Sequence, residues 1–191
     1  DEWASATDYL PGGIGWYKKS FTVPSSWKGK KIFINFDGVY KNSEVWINGH
    51  SLGKRPSGFA SFEYDLSSYL NFGGKNLIAV KADHSEFADS RWYTGSGIYR
   101  DIHLIVKDPV YMQPENIAFS TPEVSAQSAA VQVNADISNS TAKSSAITLK
   151  MALVDPNGKI AAQEEQKLSA KAGVNTVQFK QTLSNPSLWS I

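Results

Sequence analysis

The sequence predicts an all-β protein made of two β-sandwiches, and three observations lead to this fold class. Apolar residues recur with a period of two in most segments, as they do in strands that bury one face. Residues that favour turns, mainly Gly, Asn and Asp, separate these segments at short intervals. No apolar pattern with a helical period extends over ten residues. The chain is therefore expected to fold as sheets joined by short turns.

The first half of the chain contains about six strand candidates. In KKIFINF both sets of alternating residues include large apolar side chains, which predicts a strand buried on both faces. The pair Asn48-Gly49 lies between two apolar runs and predicts a tight hairpin, because both turn residues take a positive φ there. Further strands are predicted in SFEYD, NLIAVKAD and DIHLIVK. This series of short strands is typical of a sandwich of the jelly-roll kind.

Composition changes at the segment DPVYMQPEN. Trp, Tyr and Phe are frequent before Asp108 and rare after it, and Pro109 and Pro114 bracket the change. Such a change beside prolines is typical of a linker or a domain edge. We therefore predict a first domain over residues 1–108 and a second over residues 109–191.

The second half alternates apolar and polar residues more strictly. Strands are predicted over residues 131–137 and 147–153, and two more in KIAAQEEQKL and VNTVQFKQTL, after the turn at residues 155–158. This pattern indicates an immunoglobulin-like sandwich, which has about seven strands. At most five can be counted in the sequence. The second sandwich is therefore expected to be incomplete, with a closing strand beyond residue 191.

Composition and charge exclude several classes of function. Nineteen basic and eighteen acidic residues leave a net charge of +1 without a long run of one sign, which argues against nucleic acid as a partner. No segment approaches the roughly 18 apolar residues of a membrane span, and no nucleotide-binding motif is present. We expect no cofactor and no membrane contact. The chain starts without Met and is interpreted as an excised or processed fragment, with a periplasmic or secreted location slightly favoured over the cytoplasm.

One loop concentrates groups that could do chemistry. In DHSEFADSRW, His84 stands among Asp83, Glu86 and Asp89, which are residue types found in metal sites. A solvated loop tip explains the same residues, and we favour that interpretation and predict no metal. A glycosidase pair needs two carboxyl groups about 5–5.5 Å apart, and one loop holds such a separation poorly. The chain by itself is predicted to be non-catalytic.

Aromatic residues beside glycines suggest contact with a sugar. Trp16 in GGIGWY and Trp92 in RWYTGSG offer flat apolar faces, on which the CH-rich side of a pyranose can stack. The alternative is that these rings seal the core or a domain interface. We favour the alternative for Trp16 and Trp46, whereas both interpretations stay open for Trp92. Gly95 and Gly97 are expected to permit a turn that side chains would block.

Several long motifs resemble the N-terminal region of glycoside hydrolase family 2. They are GIGWYKKSFTVP, FDGVYKNSEVWINGHSLG, FEYDLSSYL, GGKNLIAVKAD and SRWYTGSGIYRDIHL, in the family's order, with NPSLWSI at the end. The resemblance covers essentially the whole chain and is closest to the β-galactosidase-like members. It implies a jelly-roll sugar-binding domain, an immunoglobulin-like domain and then a TIM barrel that carries both catalytic glutamates. The barrel would begin after residue 191.

The resemblance also implies where this chain would touch sugar. In the β-galactosidases, an acid just before the Trp of the SRWYTGSGIYR-like motif contacts the sugar, and Asp89 is the matching residue. A gap of one residue in the match to the family motif would place Ser90 at this position, so Ser90 is a candidate as well. Arg91 and Trp92 would support the loop. Arg100 is expected to be an interdomain or buried ion-pair partner.

These inferences lead to one function and two alternatives. The chain is predicted to be the non-catalytic N-terminal part of a β-glycosidase that hydrolyses terminal β-glycosidic bonds. Its jelly roll would brace the barrel of the same polypeptide and complete the pocket for a β-galactoside or a related sugar. The alternatives are an autonomous carbohydrate-binding module and a purely structural adaptor. The sequence leaves open whether the protein forms a homo-oligomer.

Overall fold

A computed structural model describes residues 12–86 and 95–189 of the chain. The chain divides into two compact units, Asp1–Lys107 and Asp108–Ile191. Within the described ranges the regular elements are β-strands and two short 3-10 turns, Ser25–Trp27 and Pro114–Asn116. None of their helical segments is long and apolar enough to cross a membrane. The prediction of an all-β fold is confirmed.

The first unit is a β-sandwich. Its strands are β1 Ile14–Thr22, β2 Lys31–Phe36, β3 Val39–Tyr40, β4 Ser43–Ile47, β5 His50–Arg55, β6 Phe62–Asp65, β7 Lys75–Asp83, β8 Gly97–Ile98 and β9 Ile102–Lys107. The two main sheets have the strand orders β1-β7-β4-β5 and β6-β2-β9, and β3 pairs with β8. All pairings in these sheets are antiparallel. The sequence pattern had not predicted β1, which pairs with β7 over its whole length.

The turn between β4 and β5 confirms the predicted hairpin. Asn48 and Gly49 have φ values of +49° and +86°, the left-handed conformations that a two-residue turn requires. The Asn48 side chain also ties the turn to its surroundings. Its Oδ1 accepts from the Leu77 N–H at 2.9 Å, and its Nδ2 donates to the Tyr69 carbonyl at 2.7 Å.

The core of the first unit lies between the two main sheets. Its fully buried side chains are Val23, Ile32, Phe36, Val39, Val45, Ile47 and Leu66. On β2 only one set of alternating residues is buried. The prediction of a strand buried on both faces is therefore wrong. Phe33 is half-buried, and the Lys107 ammonium group lies 4.9 Å from its ring centroid.

The second unit places two layers of strands around a smaller core. The strands are β10 Val110–Met112, β11 Ala118–Val124, β12 Ser128–Asn139, β13 Ser145–Val154, β14 Ile160–Ala170 and β15 Gly173–Ser184. In the first layer β12 pairs with β15 on one side and with β10 and β11 on the other, and β13 pairs with β14 in the second layer. The buried members of the core are Ile137, Met151, Val177 and Phe179.

The strand count of the second unit exceeds the prediction of five at most, since residues 110–184 form six. Two of these strands were not predicted. The first is β10, which lies in the segment interpreted as a linker. The second is β11, which contains Pro122 and whose pairing with β12 shifts register between Ser120 and Glu123. Proline is depleted in strands and is tolerated at such bulges. The predicted turn at residues 155–158 is confirmed, because the Gly158 N–H donates to the Asp155 carbonyl at 3.0 Å.

Each unit contains one buried asparagine that fastens a turn to the sheet. Asn76 is 2% exposed, and its amide donates to the carbonyls of Asn71 and Gly74, both at 3.1 Å. Its Oδ1 accepts from the Asn71 N–H at 2.7 Å and from the Asn48 amide at 2.8 Å. Both donors and both acceptor positions of the side chain are therefore used.

Asn139 repeats this arrangement in the second unit and is also 2% exposed. Its amide donates to the carbonyls of Lys143 and Ala170 at 2.8 and 2.9 Å. Its Oδ1 accepts from the Thr141 N–H and from the Thr141 hydroxyl at 2.9 and 2.7 Å. An amide is the one side chain that satisfies two carbonyls and two donors at once.

Candidate functional site

The predicted sugar-contacting residues Asp89, Ser90, Arg91 and Trp92 lie outside the residues that the structure describes. The structure does describe both ends of their segment. The chain leaves β7 at Asp83 and enters β8 at Gly97. The candidate site is therefore built from the groups that hold these two ends.

His84 and Ser96 join the two ends of the segment. The Nδ1 atom of His84 lies 2.7 Å from the Ser96 hydroxyl, which is hydrogen-bonding distance. His84 is only 9% exposed. Its backbone N–H donates to the Gly13 carbonyl at 2.8 Å, and its imidazole ring packs edge-on against the Tyr40 ring with centroids 4.9 Å apart. The interpretation of His84 as part of a solvated loop tip is wrong, because this imidazole packs into the sandwich.

The two described acids of this loop each contact a lysine. The carboxylate of Glu86 lies 2.8 Å from Lys41 Nζ, and the carboxylate of Asp83 lies 3.3 Å from Lys81 Nζ. Hydrogen bonds from the Ser85 hydroxyl and N–H, followed by the hydrogen bond and the charge of Lys81, lower the pKa of Asp83. Among the residues that the structure describes, no group of three His, Asp or Glu side chains could hold a metal ion.

Gly97 meets Tyr17 at the point where the segment rejoins the sheet. Its φ is +89°, and a Cβ atom added to it would lie 1.8 Å from the Tyr17 hydroxyl oxygen. A side chain at this position is therefore excluded both by backbone conformation and by contact. The prediction is confirmed for Gly97. For Gly95 it stays a prediction, because the residues directly before Gly95 lie outside the described part of the chain.

Two aromatic residues near the ends of the segment, Tyr99 and Tyr40, both contact residues 58–59. The Tyr99 hydroxyl donates to the Gly58 carbonyl at 2.8 Å, and Tyr40 packs edge-on against Phe59. Arg100 is exposed, and its guanidinium lies 5.5 Å from the Tyr99 ring centroid. The expectation that Arg100 is buried in an ion pair is therefore wrong, whereas an interdomain contact of Arg100 stays a prediction.

The other two histidines make surface contacts. The ring of His103 on β9 places Nε2 3.2 Å from a carboxylate oxygen of Asp37, and both side chains are exposed. His50 is exposed and stacks against Tyr69 with centroids 4.9 Å apart. Both observations agree with structural roles for these imidazoles.

Trp16 does not seal the core of the first unit, so this part of the favoured alternative is wrong, whereas a position at a domain interface stays a prediction. Trp16 is 56% exposed, and its ring stacks against Trp46 with centroids 5.4 Å apart and an interplanar angle of 29°. Alternation along β1 places Trp16 on the outer face of the sheet, opposite Phe21, which packs against the core. The sequence pattern indicates which residues share a face, but not which face is covered.

A cleft of about 470 Å³ opens between the β1 edge of one main sheet and the β9 edge of the other. Its lining is almost entirely aliphatic and aromatic: Tyr17, Lys18, Lys19, Phe21, Ile34, Phe36, Ile78, Val80, Ile98, Ile102 and Leu104. A sugar site needs several polar groups that converge on the ring hydroxyls. Among the described residues that line it, the cleft has no carboxylate or amide side chain, so it does not have the character of a sugar pocket.

Comparison with known families accounts for both units. Residues 6–109 match the family described as glycosyl hydrolases family 2, sugar binding domain, and residues 116–191 match the one described as glycosyl hydrolases family 2. The chain belongs to glycoside hydrolase family 2. The resemblance seen in the sequence motifs is confirmed.

Family 2 relatives resemble the chain over nearly its whole length. The chain is 40% identical to a β-galactosidase of Bacteroides ovatus, with 95% of the chain and 22% of that protein covered. It is 32% identical to a β-glucuronidase of Formosa agariphila, with 93% of the chain and 20% of that protein covered. A crystal structure of a β-glycosidase from Bacteroides vulgatus is 47% identical and has a TM-score of 0.80, covering 95% of the chain and 22% of that protein. The chain therefore spans about a fifth of the length of these relatives.

Proposed function

We propose that this chain is a non-catalytic part of a family 2 β-glycosidase that hydrolyses terminal β-glycosidic bonds. The reacting carboxyl groups would belong to a barrel elsewhere in the same polypeptide. The first unit would brace that barrel and complete its sugar pocket. The observation that carries this proposal is the family match of both units, in a chain that spans about a fifth of its relatives.

The clamp between His84 and Ser96 supports the proposed role in the pocket. A loop that contacts a substrate has to hold its contact atoms in a reproducible position. Ordering such a loop on binding costs less conformational entropy when its two ends are already fixed. The hydrogen bond at 2.7 Å and the packing of His84 on Tyr40 fix the ends of the segment that contains Asp89. A carboxylate at Asp89 would then accept hydrogen bonds from sugar hydroxyls.

The relatives suggest the class of sugar. Their names include β-galactosidase and β-glucuronidase, which differ in whether the sugar carries a carboxylate at C6. We propose a β-galactoside as the substrate, with β-glucuronides and β-mannosides as the comparison set.

The test uses the complete polypeptide that contains this chain. We expect Asp89→Ala to lower kcat/KM for the preferred nitrophenyl β-glycoside by roughly 10- to 100-fold, the loss of a hydrogen bond to a charged group. Asp89→Asn, which keeps the shape, separates the charge from the contact. Glu86→Ala is the matched control, because this carboxylate is exposed and already contacts Lys41. Equal kinetics for Asp89→Ala and wild type would instead favour the structural adaptor.

A second measurement tests the non-catalytic assignment. The purified chain of 191 residues should release no nitrophenol from any of the three glycosides, whereas the complete polypeptide should release it. Hydrolysis that co-purifies with the isolated chain would contradict the proposal that this chain is non-catalytic.

A further inference from the structure

The outer face of the sheet β1-β7-β4-β5 carries a regular arrangement of aromatic and charged side chains. Strand register defines two neighbouring rows across β1, β7 and β4. One row is Trp16, Lys81 and Glu44, and the next is Lys18, Ala79 and Trp46. The two tryptophans therefore occupy diagonal positions on strands that flank β7.

These side chains point away from the core. On β4, Val45 and Ile47 are fully buried, so Trp46 between them projects from the opposite face. Trp16 belongs to the same face by its register with Lys81. The two rings stack with centroids 5.4 Å apart above β7, where Ala79 contributes only a methyl group. Trp16 is thus an exposed indole with a second indole behind it, which limits its rotation.

Charged groups surround this pair of indoles. The Lys81 ammonium lies 3.3 Å from the Asp83 carboxylate and 3.5 Å from that of Glu44. The hydrogen bond to Asp83 raises the pKa of Lys81. Lys18 is exposed on the same face, two residues along β1 from Trp16. The face therefore combines flat apolar surface with fixed charges of both signs.

This combination fits a carbohydrate better than a protein partner. Lys and Glu are depleted in the cores of protein interfaces, whereas here they alternate with the aromatic rings. A pyranose ring has one CH-rich face that can stack on an indole and hydroxyl groups that bond to carboxylates and ammonium groups at its rim. The face carries Lys18, Lys81 and also Lys54, which lies opposite Glu44 on β5 and is exposed. The carboxylates of Glu44 and Asp83 offset two of these three ammonium groups, which leaves an excess positive charge that a uronate would complement.

We propose that Trp16, supported by Trp46, is a binding platform for a pyranose ring of a uronate-bearing glycan, with Lys18 contacting the uronate. The platform goes beyond the pocket role proposed for Asp89 and does not depend on it. It would hold a polysaccharide to the outer sheet face of the first unit.

Affinity gel electrophoresis of the complete polypeptide tests the platform. One gel contains glucuronoxylan, whose uronate groups match the proposed ligand, one contains neutral β-1,4-galactan, and one contains no polysaccharide. We expect retardation of wild type in glucuronoxylan and a roughly 5- to 10-fold weaker affinity for Trp16→Ala. Trp16→Phe should keep most of the affinity. Tyr69→Ala, which removes a different exposed aromatic ring of the same unit, should migrate as wild type.

Each arm of this experiment has a result that overturns the proposal. The proposed platform is wrong if the wild-type protein is not retarded in glucuronoxylan. It is also wrong if Trp16→Ala is retarded as strongly as wild type. Lys18→Ala should weaken retardation in the glucuronoxylan gel and leave migration in the galactan gel unchanged. If the substitution has the same effect in both gels, the assignment of a uronate to Lys18 is wrong. Thermal melting of each variant distinguishes lost binding from lost folding, and Lys18→Ala decides the matter if Trp16→Ala unfolds. Kinetics on nitrophenyl glycosides, which report on Asp89, are a separate readout.

Discussion

His84 and Ser96, twelve residues apart in the sequence, are joined through Nδ1 and the hydroxyl oxygen at 2.7 Å. This contact brings together the residue that follows β7 and the residue that precedes β8. The segment between them contains all four residues predicted to contact or support a sugar. Its ends are therefore fixed by groups of the sandwich.

The first prediction concerns Ser96. In the complete polypeptide, Ser96→Ala should raise KM for the preferred glycoside several-fold and leave kcat nearly unchanged, because it loosens a loop without touching the reacting atoms. Ser96→Thr retains a hydroxyl and should restore most of the affinity. Steady-state kinetics separate the two parameters, and a fall in kcat alone would argue against a positioning role.

The second prediction concerns Gly97. Gly97→Ala should destabilise the first unit by about 2–4 kcal/mol, because it combines a positive φ with a collision against Tyr17. Gly13→Ala is the matched control, since its Cβ would meet nothing within 4 Å and its φ is not in the left-handed region. Urea unfolding measures both variants. A stability of Gly97→Ala equal to that of Gly13→Ala would contradict the packing seen here.

The third prediction concerns the two buried asparagines. Asn76→Asp and Asn139→Asp are nearly isosteric, yet each removes two hydrogen-bond donors and places a charge beside two carbonyl oxygens. We expect each to lower the free energy of unfolding by about 2–4 kcal/mol. Asn134→Asp is the control, because its partly exposed Oδ1 only accepts from Gln178 and a carboxylate can do the same. Chemical unfolding at pH 7 compares the three variants.

The fourth prediction concerns acid stability. Burial opposes ionisation of Asp65, but hydrogen bonds from Lys31 and Ser67 outweigh it and lower the pKa of this carboxyl group. The charged form therefore stabilises the fold above the unfolded-state pKa of about 3.9, and this contribution is lost as the pH falls through the folded-state pKa. Because the pair is partly exposed, it contributes less than about 1 kcal/mol.

Asp65→Asn isolates this contribution. The variant should be less stable than wild type at pH 7, and the difference should disappear at pH values below the folded-state pKa. It should also shrink in 1 M salt, where charges are screened within about 3 Å. A difference that persists unchanged at pH 2 would mean that the charge of Asp65 is not its cause.

The elements that the sequence predicted correctly are those fixed by local chemistry. The Asn48-Gly49 hairpin follows from two adjacent residues that tolerate positive φ. The strand β11 was not predicted because it contains Pro122, and the bulge that accommodates this proline depends on the partner strand β12. The exposure of Trp16 and the burial of His84 were not predicted, and the reason is the same for both: exposure depends on neighbours that are distant in the sequence. No local signal marks Ser96 as a partner of His84. Asp89, Ser90, Arg91 and Trp92 stay predictions.

The asparagines of the two Asn-Gly turns should deamidate at different rates. Deamidation requires the glycine N–H nitrogen to attack the side-chain carbonyl carbon of the preceding asparagine, so it needs a side chain that can rotate freely. Asn48 is held by its bonds to Leu77, Tyr69 and Asn76, whereas Asn157 lies exposed in its turn before Gly158. During long storage, succinimide formation should therefore accumulate at Asn157 while the hairpin of the first unit stays intact.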